Sequence, residues 1–370
     1  MMQSVFKSFS LALCAGVLCS TALAADPRIS EVYFNPPGNP DVAATGLEYI
    51  ELYAGLNQSL DNYYFIALEN ENDEFNSQNP GQIENIFDLH GMTTGSNGYA
   101  VLAMKNSPYP QLSSVAFSVA TPVIPAQPTP QESLKVLASG GHAYVNRDSG
   151  NGFGNGTTSS IGHSGQAAEL EGSGATYLLI HVDPMAGGVA PVLNDDLDID
   201  NDGFDGLPTG WTITDSIGVL GEAGEGYARF YSDVVFAPGA IAGPPGGVEP
   251  GADYINTTPT LNEIEYVGRV TPNDVASSWV VSNLTNDVAT GYTAAQRNYA
   301  VSGNHALQNN PEAWVGNTSQ PASFPYGTDI TVTLGGPNVN FVVPEPGSFA
   351  LAAIGGLGVL VGVLRRRRAA

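Results

Sequence analysis

One acidic stretch combines the residue types and the spacing of a cation-binding loop. The sequence DDLDIDNDGFDG places Asp198, Asp200 and Asp202 at every second position, with Gly203 directly after them. Calcium is a hard cation that takes roughly six to eight oxygen ligands, and alternating aspartates before a glycine turn let carboxylates converge on one ion. The predicted calcium ligands are Asp198, Asp200, Asp202, Phe204 (through its carbonyl) and Asp205.

This loop departs from an EF-hand at its twelfth position. Thr209 stands where an EF-hand has a bidentate glutamate, and no helical pattern flanks the loop. The sequence therefore predicts a weak site of the extracellular kind, with a dissociation constant on the order of 10⁻⁴ to 10⁻³ M. The alternative is a solvated acidic loop, although carboxylates so close together repel one another without a cation.

Three other groups of residues fit their possible chemistry poorly. The sequence IGHSGQ nearly spells a G-x-S-x-G nucleophile elbow around Ser164, but Gln166 replaces the final glycine and the βα alternation of a hydrolase is missing. The histidines match no metal-ligand spacing, and tryptophans more often pack in cores than stack on sugars. These weaker candidates are His142, His163 and His181 with Asp183, and Trp211, Trp279 and Trp314.

The amino-terminal end has the parts of a signal peptide. Lys7 supplies the positive charge, Phe9 to Leu18 form a short apolar core, and Ala22 to Ala24 form a small-x-small cleavage site. A core of about ten residues is too short to span a bilayer. Residues 1–24 are therefore predicted to be removed by signal peptidase.

The carboxyl-terminal end contains a second apolar stretch. Residues 347–364 include no charge over 18 residues, which corresponds to ~27 Å of helix, close to the thickness of a bilayer core. Positive residues stay on the cytoplasmic side and stop transfer. The predicted membrane stop is Arg365, Arg366, Arg367 and Arg368.

A short proline motif precedes this stretch, and the whole tail resembles the PEP-CTERM sorting signal. The motif residues are Val343, Pro344, Glu345 and Pro346. The resemblance implies that an exosortase recognises the Pro-Glu-Pro motif and removes the tail. The membrane anchor would then be transient, and the protein would reach the cell envelope or the extracellular surface. The alternative is an ordinary single-pass anchor.

The exported body is strongly acidic. The whole chain has 36 acidic and 12 basic residues; without Lys7, Glu345 and the four terminal arginines, residues 26–343 keep 35 and 7, a formal charge of −28. This charge repels phosphate backbones, so no nucleic-acid partner is expected, and it attracts divalent cations. Both cysteines, Cys14 and Cys19, lie in the signal peptide, so the mature chain has no disulfide.

The body has the pattern of a mainly β protein. Strand-like runs occur at 28–34, 47–54, 63–68, 99–104, 176–182 and 215–220. The run at 47–54 alternates as a half-buried strand does, whereas those at 63–68 and 176–182 are apolar on both faces like central strands. Gly- and Pro-rich connections separate them, which predicts a β-sandwich with long loops.

The order of these runs resembles the lamin tail domain. An opening strand leads to Asn35-Pro36, and a Glu-aromatic-aliphatic-Glu-Leu strand follows at 48–52. The resemblance covers residues 26–240 and implies an immunoglobulin-like sandwich. Two stretches, 107–131 and 139–174, are longer than that pattern and are expected to be inserted loops.

Residues 241–251 form a Pro- and Gly-rich linker and are the predicted domain boundary. Residues 252–342 beyond the linker contain short β-like runs. The sequence leaves open whether this region folds alone or adds strands to the sandwich.

Two functions remain open from the sequence. The first is a non-catalytic cell-surface or matrix protein, sorted by an exosortase and binding exopolysaccharide or envelope proteins. The alternative is an exported hydrolase or nuclease that carries a lamin tail-like module. The first is preferred because no recognisable catalytic domain accompanies the body.

Overall fold

The computed structural model describes most of the exported body. The described residues are 26–34, 48–71, 79–105, 107, 109, 112, 134–147, 152–154, 159–165, 169–172, 174–221, 228–237, 243–244, 246–256, 264–269, 278–282 and 334–338. The predicted signal peptide, membrane helix 347–364, sorting motif and terminal arginines lie outside them. Within the described ranges, no helix has the length and apolar character needed to cross a membrane.

The regular secondary structure of the described residues is almost entirely β-strand. They are β1 (Arg28–Tyr33), β2 (Tyr49–Tyr53), β3 (Tyr63–Glu69), β4 (Ile83–Asp88), β5 (Tyr99–Ala103), β6 (Leu134–Val136), β7 (His142–Val145), β8 (His163–Gly165), β9 (Gly174–Val182), β10 (Trp211–Leu220), β11 (Arg229–Phe230), β12 (Val234–Ala237), β13 (Gly247–Val248), β14 (Asp253–Asn256), β15 (Tyr266–Arg269) and β16 (Trp279–Ser282). A short 3-10 helix, Pro184–Ala186, follows β9. The mainly β prediction is confirmed.

The strands form two large sheets and one small pair. In sheet 1 the order is β16-β15-β1-β2-β5-β7-β6, and in sheet 2 it is β14-β12-β10-β9-β3-β4-β8. Neighbours are antiparallel except for β5 with β7, β10 with β12, and β12 with β14. The two-residue strands β11 and β13 pair with each other in parallel.

Both sheets contribute side chains to one apolar core. Alternate residues of sheet 1, such as Ile50 and Leu52, belong to the same buried cluster as Phe65, Tyr177 and Leu179 of sheet 2. The opposite face of sheet 2 packs a second cluster that includes Ile66 and Leu178. Runs 63–68 and 176–182 are therefore interior strands with two apolar faces, as their composition predicts.

The outer face of β2 differs from the expectation of a half-buried strand. Tyr49 and Glu51 are fully buried although their faces alternate with those of Ile50 and Leu52. Tyr109 packs edge-on against Tyr49 at 5.5 Å between ring centroids, and residues 334–338 lie over Glu51. A second layer of chain therefore covers this face, which alternation within one strand cannot reveal.

Strands beyond the Pro- and Gly-rich linker join the sheets on its amino-terminal side. β14 pairs with β12 in sheet 2, while β15 pairs with β1 in sheet 1 and β16 follows it. Residues Ala24–Val343 form one compact unit. The described part of the region after the linker thus adds strands to the sheets, which is one of the two possibilities left open by the sequence.

The expectation of one inserted loop at 139–174 is wrong for the described residues. β7 lies inside this range and pairs with β5, and β8 pairs with β4. These strands have four and three residues, and glycines surround them. Their pairing depends on partners far along the chain, so local periodicity is too short to identify them.

One buried ion pair joins the two sheets. Arg269 at the end of β15 donates to both carboxylate oxygens of Asp215 on β10, at 2.5 and 2.6 Å. The Ile29 N–H also donates to Asp215 Oδ2 at 2.7 Å, and Arg269 Nε donates to the Ile29 carbonyl at 3.0 Å. The guanidinium lies 4.1 Å from the ring centroid of Trp279. This contact places Trp279 in the core.

Candidate functional sites: the acidic loop and the buried glutamates

The predicted calcium loop lies in the connection between β9 and β10. Its chain reversal uses Asn201 with φ of 58° and Gly203 with φ of 132°. Asparagine tolerates the left-handed region better than most residues, and glycine has no Cβ penalty there. A Cβ at residue 203 would also lie 2.9 Å from Arg229 Nη2. The Asp-Gly-rich sequence therefore folds into a tight turn beside an arginine.

Asp198 is the buried centre of this loop, with no exposed surface. Its Oδ1 accepts from the backbone N–H groups of Asp202 and Gly203 at 2.9 and 3.0 Å. Its Oδ2 accepts from the Tyr231 hydroxyl at 2.8 Å and lies 3.2 Å from Arg229 Nε. Three hydrogen bonds and an ion pair therefore occupy most of the acceptor capacity of this carboxylate, which has about four lone-pair directions.

The other predicted ligands surround Asp198. One ligand oxygen from each of Asp198, Asp200 and Asp202 lies within 4.8 Å of the others, and Asp200 and Asp202 are exposed. Asp205 accepts the Ile199 N–H at 3.1 Å, and the Phe204 ring packs on Tyr231 at 5.0 Å. The fold thus brings together three carboxylates, while Asp205 has a role in shaping the turn.

Two residues that the sequence pattern did not indicate complete the loop. Arg229 on β11 donates to the Asp202 carbonyl at 2.5 Å and to the Gly246 carbonyl at 2.7 Å. Glu249 follows β13, accepts the Phe204 N–H at 3.3 Å and lies 3.7 Å from Arg229 Nη2. Pairing of β11 with β13 positions both residues, so no local spacing could have found them.

The donor set fits calcium in part. Asp200 and Asp202 present carboxylates to solvent at distances suitable for a shared ion, and oxygen is the ligand type that calcium prefers. Arg229, however, already supplies a positive charge to Asp198. A cation bound here would share Asp198 with the guanidinium, so Asp200 and Asp202 are the residues that would hold it.

A second acidic site lies buried on the outer face of sheet 1. Glu31 accepts the Tyr49 hydroxyl at 2.7 Å, and Glu51 accepts the Ser30 hydroxyl at 2.8 Å. Burial raises the pKa of Glu51 well above its ordinary value, and the nearby charge of Glu31 raises it further. Burial also raises the pKa of Glu31, although Tyr49 and Tyr266 donate to its carboxylate. The pair therefore retains a proton that exposed carboxyl groups lose.

Glu69 makes stability depend on pH. Burial raises its pKa from 4.5 to about 8; the Glu71 N–H donor opposes the shift, and the charges of Glu171 and Glu71 add to it. Because the folded state keeps a proton that the unfolded chain loses above pH 4.5, stability falls as pH rises from about 4.5 to about 8.

Glu69→Gln should flatten this pH profile. An amide cannot lose the proton, and its oxygen can still accept the Glu71 N–H, which lies 2.9 Å from Glu69 Oε1. The slope of unfolding free energy against pH should decrease by up to about 1.4 kcal/mol per pH unit between pH 5 and 8. Urea unfolding at pH 5, 6.5 and 8 measures it. Equal slopes for wild type and variant would contradict the assignment.

The three candidate histidines lie in separate environments rather than in one metal site. His163 is buried, contacts Asn85 Oδ1 at 2.7 Å through Nε2, and has its pKa lowered by burial to about 3. His142 instead lies beside the Thr93 carbonyl, and the His181 ring packs on Tyr63. Among described histidines, cysteines and acidic residues, the group with metal-binding spacing is Asp198, Asp200 and Asp202.

Ser164 does not occupy a nucleophile elbow. It lies within strand β8, opposite Ile86 of β4, rather than at a strand-to-helix turn. Trp211 is buried and donates to the Val189 carbonyl at 2.7 Å, and Trp279 is buried beside Arg269. Trp314 lies outside the described residues. The described tryptophans therefore belong to the packed interior.

Comparison with known proteins identifies the tail. Residues 342–368 match the family model of the PEP-CTERM protein-sorting motif. The chain carries a PEP-CTERM sorting signal. This motif implies an exported protein that is anchored transiently in the membrane and then processed by an exosortase. No curated protein and no solved structure gives a significant match to the chain.

Proposed function

We propose that this chain is a non-catalytic surface or matrix protein that an exosortase delivers to the cell envelope or the extracellular surface. The PEP-CTERM motif at residues 342–368 is the observation that carries the proposal. The interior supports a structural role for the body, because ionisable side chains such as Arg269 and Asp215 hold one sheet to the other.

The body is proposed to be an immunoglobulin-like sandwich of the lamin tail kind. Two observations support this proposal. β1 pairs in antiparallel fashion with β2, which holds all but the first residue of the Glu-aromatic-aliphatic-Glu-Leu pattern, and both sheets share one core. The proposed partner is exopolysaccharide or another envelope component, with calcium held weakly by Asp200 and Asp202. The acidic charge of the body and the exposure of these two carboxylates support the calcium part.

Alanine substitutions at Pro344, Glu345 and Pro346 should block processing. An exosortase reads this motif, so the triple variant should keep its arginine tail and stay in the membrane fraction. Wild-type protein should lose the tail. The measurement is the mass of the protein from fractionated producing cells, together with an antibody against the terminal residues.

The internal sequence Val248-Glu249-Pro250 offers a matched control, because Pro250 is exposed and also follows a glutamate. Pro250→Ala should be processed like the wild type. Removal of the tail from the triple variant at the wild-type rate would refute sorting by this motif. Turnover of nucleic acid or polysaccharide by the purified full chain would instead favour the hydrolase alternative.

A further inference from the structure

A short segment near the tail is seated on sheet 1. We call Leu334–Asn338 the clip. The Gly335 N–H donates to Glu51 Oε2 at 2.6 Å, and the Gly335 carbonyl accepts from Asn97 Nδ2 at 2.6 Å and from Ser139 Oγ at 2.7 Å. Side chains from three separate parts of the body thus satisfy the polar groups of one residue of the clip.

The backbone conformation and the close contacts of the clip at residue 335 favour glycine. Gly335 has φ of 76°, where residues with a Cβ are strained, and a Cβ there would collide with Leu137 Cδ1. On the body side, a Cβ on Gly141 would collide with the Gly335 carbonyl oxygen. Two glycines therefore allow a close backbone approach between segments that are almost 200 residues apart in the sequence.

The far end of the clip is also bound. Asn338 Nδ2 donates to the Arg269 carbonyl at 2.9 Å, and the Asn338 side chain also hydrogen-bonds Glu31. Leu334 at the other end is 2% exposed. The clip is thus held at both ends and in the middle, over the buried carboxylates of sheet 1.

The sorting motif begins soon after the clip. Five residues, 339–343, separate Asn338 from Pro344. At about 3.4 Å per residue, six steps along the chain reach at most ~20 Å. The docked clip therefore leaves no more than about 20 Å of chain between its last anchored residue and Pro344.

We propose that the clip is an autoinhibitory contact, which must leave sheet 1 before an exosortase can engage the motif fully. The inference rests on the proposed sorting function. An enzyme that cuts a chain needs an extended segment on both sides of the bond, and cutting follows the population of the open form when opening is fast. While the clip is docked, no more than the five residues 339–343 are available to an enzyme ahead of Pro344.

The test is a pulse-chase of the full chain in the producing cell, with loss of the arginine tail as the readout. Gly335→Ala should shorten the processing half-time at least threefold, because alanine is strained at the φ of this residue and its Cβ presses on Leu137, which weakens docking of the clip. Pro337→Ala is the matched control, since Pro337 belongs to the clip and is exposed. It should be processed at the wild-type rate.

A second variant covers the case in which Gly335→Ala fails to fold, as judged by its unfolding transition. Ser139→Ala removes one hydrogen bond to the clip and should shorten the half-time in the same direction by a smaller factor. An unchanged or longer half-time in folded variants would overturn the clip proposal and leave the sorting function intact. If the wild type keeps its tail, the sorting function fails, and the clip proposal fails with it.

Discussion

Arg269→Ala should lower the free energy of unfolding by about 3–5 kcal/mol. The substitution leaves Asp215 buried between the sheets at 4% side-chain exposure, with the Ile29 N–H as a remaining donor. It also removes the contact with Trp279. Thermal unfolding should show a fall in Tm of roughly 6–20 °C.

Two controls separate the ion pair from a general effect of losing an arginine. Arg147 is exposed, so Arg147→Ala should change the free energy by less than about 0.5 kcal/mol. Replacing Arg269 by Met and Asp215 by Leu together should recover part of the loss, because no unpaired charge stays buried. A loss below about 1 kcal/mol for Arg269→Ala would show that this pair does not hold the sheets.

Asp198→Ala should cost about 3–4 kcal/mol even in the absence of calcium. The change leaves the Tyr231 hydroxyl and two backbone N–H groups without their acceptor, and it takes away the closest carboxylate of Arg229. These contacts do not depend on an added ion. Chemical unfolding in EDTA should therefore already show this loss, and any further loss in ~2 mM Ca²⁺ would measure the share of Asp198 in binding the ion.

The loss of stability caused by Asp200→Ala should instead appear only when calcium is present. Asp200 is exposed, so its loss should matter little in EDTA. With a dissociation constant near ~0.1 mM, ~2 mM Ca²⁺ should stabilise the wild type by about 1.8 kcal/mol, a rise in Tm of roughly 4–7 °C. The variant should lose this rise. A wild type without any rise would show that Arg229, rather than calcium, neutralises the loop.

Strands were predictable from the sequence where their own residues form a clear hydrophobic pattern. β3 and β9 are apolar on both faces, and they are interior strands of sheet 2. β6, β7 and β8 have three or four residues each. These strands are too short for an alternating apolar and polar pattern to be recognised in the sequence. The cover over Glu51 was equally invisible, since it comes from residue 335, which lies 284 positions away.

The acidic loop was likewise predictable only in part. Aspartate spacing predicts that Asp198, Asp200 and Asp202 converge, and they do. It cannot predict that one of them is buried against Arg229, because that contact depends on the pairing of β11 with β13. Local spacing therefore reveals where carboxylates gather, whereas tertiary pairing decides which counter-charge they meet.

The position of β1 bears on how this protein crosses a membrane. β1 lies between β2 and β15, and the Arg269 side chain reaches Ile29 across 240 positions of sequence. A chain exported from its amino end delivers β1 first. The edge of β1 that pairs with β15 then stays unpaired until most of the body has emerged. Open strand edges promote misassembly, and distant pairings form slowly. Folding of this body should therefore lag behind its translocation.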